Sequence, residues 1–494
     1  MCGVVGVLHS YLSNDVLVDA AYDVYRSLLT LQHRGQDAAG IVGYDFTTRK
    51  FHSHKDLGLV GQVFNEKVLS KLSGDMAIGH TRYATTGSDS KLDLQPLVTG
   101  FPVGLGIAHN GNILNYHEVS RFFSQDRGNQ LLTNNDIELF QNFWCQSFSQ
   151  YKDNFLGALI HGATEIVDKL RGAYALVGMV SDEGLFALRD PNGIRPLVLG
   201  QKREGNRLSW MVASETVSMN FLGFEYVRDV LPGELIFIDK KGELFSKILT
   251  KGHVAKPCMF EWVYFSGAES SIENQSVYGV RLNLGIGLAK QVKPFIESGE
   301  ISPDIVCPVP DTSRTSAISL AEELGLPYRE GLIKNRYTQR SFILKDQEAR
   351  ERAIELKLSP VVSEIQGKNI LLVDDSIVRG STSIKIIKLL KKYGAKEITL
   401  AISCPPLKHA CFYGVDFPDP NQLVARNKTN DELAEYIGAK RVIYLTEENL
   451  KKGIGLEDVC MGCLDGEYPT PTDGSEEFKR RREEHKKSLA LECL

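Results

Sequence analysis

The sequence predicts two unlike units in one chain: an α+β unit, then an α/β unit built on a parallel sheet. Three observations lead there. The chain has 494 residues, and single hydrophobic cores stop growing near ~250–300 residues. Roughly the first 235 residues read as short strands punctuated by glycine, with a few helices. Beyond them strand-like and helix-like runs alternate, which is the pattern of a parallel sheet with crossover helices.

The elements follow in order. Val4–Leu8 is a continuous apolar run and reads as a buried strand, and Val16–Leu31 has the apolar spacing of a helix. Ala77–Tyr83, Val103–His109, Ala173–Val180 and Gly184–Leu188 read as strands. Leu231-Pro232-Gly233-Glu234 is a turn, Leu235–Ile238 a strand, and Asp239-Lys240-Lys241-Gly242 a second turn. Composition changes there, so a boundary falls between residues 240 and 260, with units over 2–240 and 260–470. In the second unit Ile305–Val309, Ile370–Val373 and Glu397–Ile402 read as strands, and Ser316–Leu324 and Thr382–Lys392 as helices. Residues 471–494 form a charged helix or tail, with Ser475–Lys487 dense in both signs and read as solvated.

Composition narrows the function. Apolar residues make up 43% and charged residues 24%, ordinary values for a globular protein. A formal charge of −5 argues against a general nucleic-acid binder or a membrane-surface protein. No stretch approaches the ~20 apolar residues that span a bilayer. No basic region precedes the first apolar run, so a secretory signal is not expected and the protein reads as cytoplasmic. The nine cysteines are then expected to be reduced.

The sharpest motif is Asn369-Ile370-Leu371-Leu372-Val373-Asp374-Asp375-Ser376-Ile377-Val378-Arg379-Gly380-Ser381-Thr382-Ser383. An apolar strand runs into two acids, a loop of small residues and a helix. Ligands of open α/β sheets bind beyond the carboxyl ends of strands. Backbone N–H groups, the hydroxyls of Ser376, Ser381 and Thr382, the turn at Gly380 and a helix N-terminus suit a phosphate dianion. Asp374 and Asp375 suit ribose hydroxyls or a hydrated Mg²⁺. Two acids after a strand can also be a plain helix cap. A second loop, Pro308 to Thr315, closes the strand before it, and Lys334, Arg336 and Arg340 form a basic segment able to neutralise an anionic leaving group, though taken alone it reads equally as a solvated basic loop.

The N-terminus offers different chemistry. Removal of Met1 leaves Cys2 with both a thiol and a free α-amine able to act as its base, the arrangement of N-terminal nucleophile hydrolases. Downstream lie Gln32–Asp37, Gly79–Thr85, His109-Asn110-Gly111-Asn112, Asn134-Asn135-Asp136 and Leu188–Pro196. Glutamine hydrolysis needs a cation for the α-carboxylate, an acid for the α-ammonium and donors for the oxyanion. Arg82 suits the first because its guanidinium binds in a bidentate way, Asp136 the second, and the Asn110 side chain with the Gly111 N–H the third. Taken singly, Arg82 reads equally as an ion pair, Asp136 as a helix cap and Asn110-Gly111 as a hairpin turn.

The strand–acid–acid–loop motif resembles the ribose-phosphate signature of type I phosphoribosyltransferases, which use phosphoribosyl pyrophosphate (PRPP). The N-terminal segments resemble class II glutamine amidotransferases. The combination is similar to the glutamine-dependent PRPP amidotransferase family over nearly the whole chain. The resemblance implies an αββα N-terminal nucleophile hydrolase sandwich followed by a phosphoribosyltransferase domain. It implies the first committed step of purine synthesis, with ammonia passed between two sites. Cys2, Asn110 and Gly111 are then catalytic, and Arg82 and Asp136 hold glutamine. Asp374, Asp375, Ser376, Gly380, Ser381, Thr382 and Lys334 hold PRPP, and Thr312, Asp374 and Asp375 hold Mg²⁺. Residues 331–342 become a lid, purine nucleotides become feedback inhibitors, and a homotetramer or dimer is implied.

One branch of this family carries a structural 4Fe–4S cluster, and its cysteine positions are filled here by Cys258, Cys411, Cys460 and Cys463. Four thiolates satisfy a cluster or tetrahedral zinc equally well by residue type, and without a metal they read as buried cysteines plus a surface pair; the family positions favour the cluster. Cys145, Cys307, Cys404 and Cys493 match none of these positions and read as core or incidental. Cluster-bearing members often have a propeptide, and here Met removal alone is expected to mature the chain. Phe265-Ser266-Gly267-Ala268-Glu269-Ser270 departs from the usual linker, and Thr338-Gln339-Arg340-Ser341 replaces a Gly-containing lid sequence. A glucosamine-6-phosphate synthase shares the glutaminase half but not Val373-Asp374-Asp375-Ser376, and no pyrophosphatase motif of an asparagine synthetase is present. A silent nucleotide sensor is disfavoured by intact Cys2, Arg82, Asn110 and Asp136.

Overall fold

The computed structural model describes residues 1–10, 19–83, 91–250, 252, 254–335, 357–415, 420–477 and 480. Sequence readings at Ala84-Thr85, over residues 336–342 and across most of the charged C-terminal stretch lie outside these residues.

Among the described residues, thirteen strands build the first unit: β1 (Gly3–Ser10), β2 (Ala38–Asp45), β3 (Lys50–Leu57), β4 (Met76–Arg82), β5 (Leu97–Thr99), β6 (Leu105–Ile113), β7 (Gly172–Val180), β8 (Gly184–Arg189), β9 (Val198–Glu204), β10 (Arg207–Ala213), β11 (Glu225–Asp229), β12 (Glu234–Asp239) and β13 (Leu244–Ile248). They form one sheet ordered β11-β9-β10-β1-β4-β2-β3 and another ordered β13-β12-β8-β7-β6-β5. The second sheet thus continues beyond residue 240, because β13 pairs with β12.

Strand alternation explains the layers. Val4, Leu8 and Ile78 of the first sheet meet Ala108, Val177 and Leu185 of the second in a core between the sheets. Val5 and Val7 point the other way, onto Val24 and Leu28 of helix Ala20–Thr30 and Met219 of helix Thr216–Leu222. Leu176 and Leu188 pack outward onto Phe140 and Trp144 of helix Ile137–Gln150 and Leu159 of helix Phe155–Lys169. The result is an αββα sandwich. Central β1 is buried along its whole length, which accounts for its unbroken apolar reading.

A short hairpin, β14 (Ser271–Ile272) with β15 (Gln275–Ser276), leads into the long helix Val277–Glu297. The second unit follows as β16 (Ile305–Pro308), β17 (Leu332–Lys334), β18 (Leu358–Pro360), β19 (Asn369–Asp374), β20 (Glu397–Ile402) and β21 (Arg441–Tyr444). Strands β16-β19-β20-β21 form a parallel sheet, linked by crossover helices that include Arg314–Leu324 and Ser381–Lys392. All its strands are therefore apolar, as a sheet covered on both faces requires.

Residues 473–477 reach back to the first unit. Asp473 pairs with Arg171 at 3.2 Å, and Glu477 lies 3.7 Å from both His117 and Arg121. The described part of the charged stretch is largely exposed and makes these ion pairs at the surface. Among the described residues, no helix is long and apolar enough to cross a membrane.

Candidate active sites

The register of β1 on β4, with Gly3 opposite Thr81, places Cys2 beside Arg82 and Tyr83 at the strand ends. The Tyr83 N–H donates to the Cys2 sulfur at 3.5 Å. The main-chain N–H of Cys2 donates to Asn110 Oδ1 at 3.2 Å. That bond orients the amide, and the Asn110 Nδ2 donor is left buried with no partner among the described residues. Buried donors are almost always paired, and a ligand acceptor beside Cys2 would satisfy this one.

Asn110 and Gly111 do not form a turn. Both lie within β6 and pair with Ala175 and Tyr174 of β7. At Gly111 a Cβ would stand 1.9 Å from the Ala173 carbonyl oxygen, so only glycine fits. Asp136 occupies the position before helix Ile137–Gln150 but makes no side-chain cap bond. Its Oδ2 accepts the Ile113 N–H at 3.1 Å, and its Oδ1 lies 3.3 Å from His109 Nε2. The carboxylate is thus held at the end of β6, beside Asn110 and Gly111. Arg82 ends β4 and is buried. Below it, burial pulls the His80 imidazole well under its usual value, with His109 and Arg82 adding to the effect.

A buried charge network supports Cys2 from behind. Arg34 Nε donates to the Cys2 carbonyl at 3.1 Å. The same guanidinium donates to Glu215 at 2.5 Å and to both oxygens of Glu261 at 2.9 Å. Arg195 also donates to Glu261, at 3.1 Å. Glu215 Oε2 accepts the Gly267 N–H at 2.9 Å and the Ser270 hydroxyl at 2.7 Å. Burial alone would raise the Glu215 carboxyl; His33 and Arg34 outweigh it and hold the group well below the usual carboxylate range. The departure at Gly267 therefore sits within this network. Sequence reading named the segments holding Arg34 and Arg195 without giving either residue a role. Glu215 and Glu261 have no local sequence signal.

The other site lies at the carboxyl edge of the parallel sheet. β16 and β19 end side by side, with Pro308 opposite Val373. Asp374 closes β19 and is buried, as is Asp375. Neither is a helix cap, since helix Ser381–Lys392 starts after Gly380, which takes a left-handed φ of 75°. Ser376 donates to Asp375 Oδ1 at 2.7 Å, and Thr312 reaches Asp375 from the neighbouring loop. Burial and the adjacent carboxylate push Asp374 well above the usual range. Burial also raises Asp375, opposed by Ser376, Thr312 and Arg281. Two buried, under-neutralised carboxylates fit ribose hydroxyls or a hydrated divalent cation. Ser381 and Thr382 open the helix. Lys334, at the end of β17, pairs with Asp311 at 2.8 Å.

The four family-position cysteines also come together. Cys258 and Cys460 form an isolated parallel bridge, with the Cys460 N–H donating to the Pro257 carbonyl at 2.9 Å. The thiols of Cys258, Cys411, Cys460 and Cys463 act electrostatically on one another. Buried Cys404 is a further neighbour of Cys258 and Cys463, although its sequence position marked it only as core. The eight described cysteines are all free thiols. Among the described residues, no three His, Cys, Asp or Glu side chains converge on one metal-ion position.

Fold and sites together define a glutamine amidotransferase of the N-terminal nucleophile type joined to a phosphoribosyltransferase. Residues 80–220 match the glutamine amidotransferase domain family, and residues 283–419 the phosphoribosyl transferase domain family. The Escherichia coli amidophosphoribosyltransferase is 40% identical over 93% of this chain and 89% of its own length. The Methanocaldococcus jannaschii amidophosphoribosyltransferase is 40% identical over 95% of this chain and 98% of its own. The solved Bacillus subtilis glutamine PRPP amidotransferase, complexed with ADP and GMP, superposes with a TM-score of 0.83 at 36% identity, covering 95% of this chain and 98% of that one. The chain belongs to the amidophosphoribosyltransferase family.

Proposed function

We propose that glutamine is hydrolysed at Cys2 and that its ammonia displaces pyrophosphate from PRPP at the Asp374–Asp375 edge. The products are 5-phosphoribosylamine, glutamate and pyrophosphate, the first committed step of de novo purine synthesis. The observation that carries this reading is the buried, unpartnered Asn110 Nδ2 beside the Cys2 nucleophile.

With Met1 removed, the Cys2 α-amine takes the thiol proton and the thiolate attacks the glutamine side-chain amide. Negative charge develops on the amide oxygen, where Asn110 Nδ2 and the Gly111 N–H donate to it. The amine returns its proton to the departing ammonia, leaving a γ-glutamyl thioester that water cleaves to glutamate. Arg82 holds the substrate α-carboxylate and Asp136 its α-ammonium. Ammonia in open water at neutral pH becomes ammonium, a poor nucleophile, so an enclosed path to PRPP serves the second step.

At the sheet edge, Asp374 and Asp375 orient the ribose. Ser376, Gly380, Ser381, Thr382 and the helix N-terminus receive the 5-phosphate. Lys334 neutralises the pyrophosphate as it leaves. Thr312, Asp374 and Asp375 would hold Mg²⁺, which supplies charge neutralisation for the leaving group when bound. Cys258, Cys411, Cys460 and Cys463 would hold a structural 4Fe–4S cluster. Purine nucleotides, supported by the ADP and GMP named for the B. subtilis relative, act as feedback inhibitors overlapping the PRPP site. A cytoplasmic homotetramer or dimer is the assembly the family implies.

The test is an anaerobic assay with glutamine, PRPP and Mg²⁺. Glutamate and pyrophosphate in equal amounts, both absent in Cys2→Ala, are expected. Glutamate release no greater than in Cys2→Ala would sink the reading.

A further inference from the structure

Between the two sites, the oxyanion strand meets residues 412–414 of the phosphoribosyl unit. Asn112 follows Asn110 by two positions on β6, so both side chains leave the same face of the strand. Asn112 is buried, and its Nδ2 donates to the Phe412 carbonyl at 2.9 Å. Phe412 adjoins Cys411, whose sulfur accepts the Tyr413 N–H at 3.4 Å. Two residues further on, Gly414 has a φ of 98°, and a Cβ there would stand 3.3 Å from the Gly111 carbonyl oxygen. The Phe412–Gly414 backbone is therefore laid directly along the Gly111-Asn112 peptides.

We propose that Asn112 is a positioning residue for glutamine hydrolysis. It ties the oxyanion peptide at Gly111 to the cysteine-bearing segment of the other unit and makes the glutaminase rate depend on how that segment is seated. This rests on the assignment of Asn110 and Gly111 as oxyanion donors. The physical argument is local. An oxyanion donor acts by being pre-aimed, and a small displacement of an aimed group costs rate rather than ground-state binding. Gly111 has no side chain to hold it and is fixed by its strand partner on one side and by the Asn112–Phe412 tie and Gly414 on the other. Arg82, proposed to bind the glutamine α-carboxylate, lies on β4, and Asp136 meets β6 through the Ile113 N–H rather than through the Asn112 side chain.

The experiment compares Asn112→Asp, which keeps the size but removes the donor, with Asn112→Gln, Asn110→Asp and Gly414→Ala. In each full-length variant, kcat and KM for glutamine, ammonia-dependent synthesis, and iron and sulfide content are measured. Asn112→Asp is expected to lower the glutaminase kcat on the order of 10- to 100-fold, with KM within about 2-fold. Ammonia-dependent synthesis and iron content should be retained, and Asn112→Gln should recover part of the rate. Gly414→Ala, which presses on Gly111 from the opposite unit, should show the same split, so the idea stays testable if Asn112→Asp folds poorly. An unchanged kcat in Asn112→Asp beside a large loss in Asn110→Asp overturns the positioning role and leaves the oxyanion assignment standing. Full activity in both overturns the assignment itself. A rise in KM alone would make Asn112 a glutamine contact, and a parallel fall in every readout would make it merely structural; either result overturns the proposal.

Discussion

Asn110 accepts the Cys2 main-chain N–H through Oδ1 at 3.2 Å, and this single bond decides which way its Nδ2 donor points. Asn110→Asp removes the donor while keeping the shape. The expected effect is a fall in glutamine-dependent kcat on the order of 10²–10³-fold, with KM for glutamine changed only a few-fold. Ammonia-dependent synthesis should survive in part, as it should in Cys2→Ala, because the proposed PRPP site lies on a different sheet. Steady-state glutamate release and pyrophosphate release, measured with each nitrogen source, separate the two steps.

Gly111→Ala tests the same strand through sterics. The added methyl would meet the Ala173 carbonyl oxygen at 1.9 Å, so β6 and β7 must part where the oxyanion peptide sits. Overpacking of this kind costs about 1–3 kcal/mol. Denaturant unfolding should show the loss, and glutaminase activity should fall further than stability alone accounts for. Wild-type activity in a folded Gly111→Ala protein would remove Gly111 from the oxyanion site.

What the sequence revealed, and what it hid, follows from the range of the interactions involved. The Asp374–Asp375 motif was legible because strand, acids, loop and helix are consecutive, and β19 and helix Ser381–Lys392 lie within a residue of their predicted limits. The strand predicted over Val103–His109 stops short of Ile113, because Asn110-Gly111 carries strong turn chemistry. Its ladder with β7 overrides that local preference. The network behind Cys2 was not legible at all. Arg34 and Glu215 are 181 residues apart and Arg34 and Glu261 are 227 apart, so no local pattern links them. The unpaired state of Asn110 Nδ2 was hidden for the same reason, since it depends on where a distant main-chain N–H lies.

Glu215 connects that network to acid stability. Its carboxyl is held below its ordinary value of 4.5 by His33 and Arg34 despite full burial. A depressed carboxyl contributes stability that is complete above the unfolded value and is lost as pH falls through the folded one. The contribution should therefore be whole at neutral pH and decline below about pH 4.5. Glu215→Gln leaves Arg34 short of one partner in a dry site, at a cost of about 3–5 kcal/mol. Unfolding midpoints of wild type and variant should differ widely at pH 7 and converge toward pH 3. A gap that stays constant across this range would show that Glu215 is not the titrating partner. Glutaminase activity should drop as well, because Arg34 also holds the Cys2 carbonyl.

The four cysteines make the last prediction, and it separates metal identity from fold. Cys258 and Cys460 sit in one parallel bridge, while Cys411 adjoins Phe412, the acceptor for Asn112. Burial pushes the Cys258 thiol up to about 11, so without a metal this site holds protonated, weakly polar groups in a dry interior. Cys460→Ser is expected to abolish bound iron and sulfide and to lower the unfolding temperature. Glutamine hydrolysis should be lost with it, because the 411–414 segment that backs Gly111 would have lost its anchor. Metal analysis of anaerobically purified wild type should give about four irons and matching sulfide per chain. One zinc and no sulfide would replace the cluster with a tetrahedral site, and the same Cys460→Ser losses would then follow from zinc. Neither metal in a stable, active wild type would leave these four as ordinary core thiols, and Cys460→Ser would then be nearly silent.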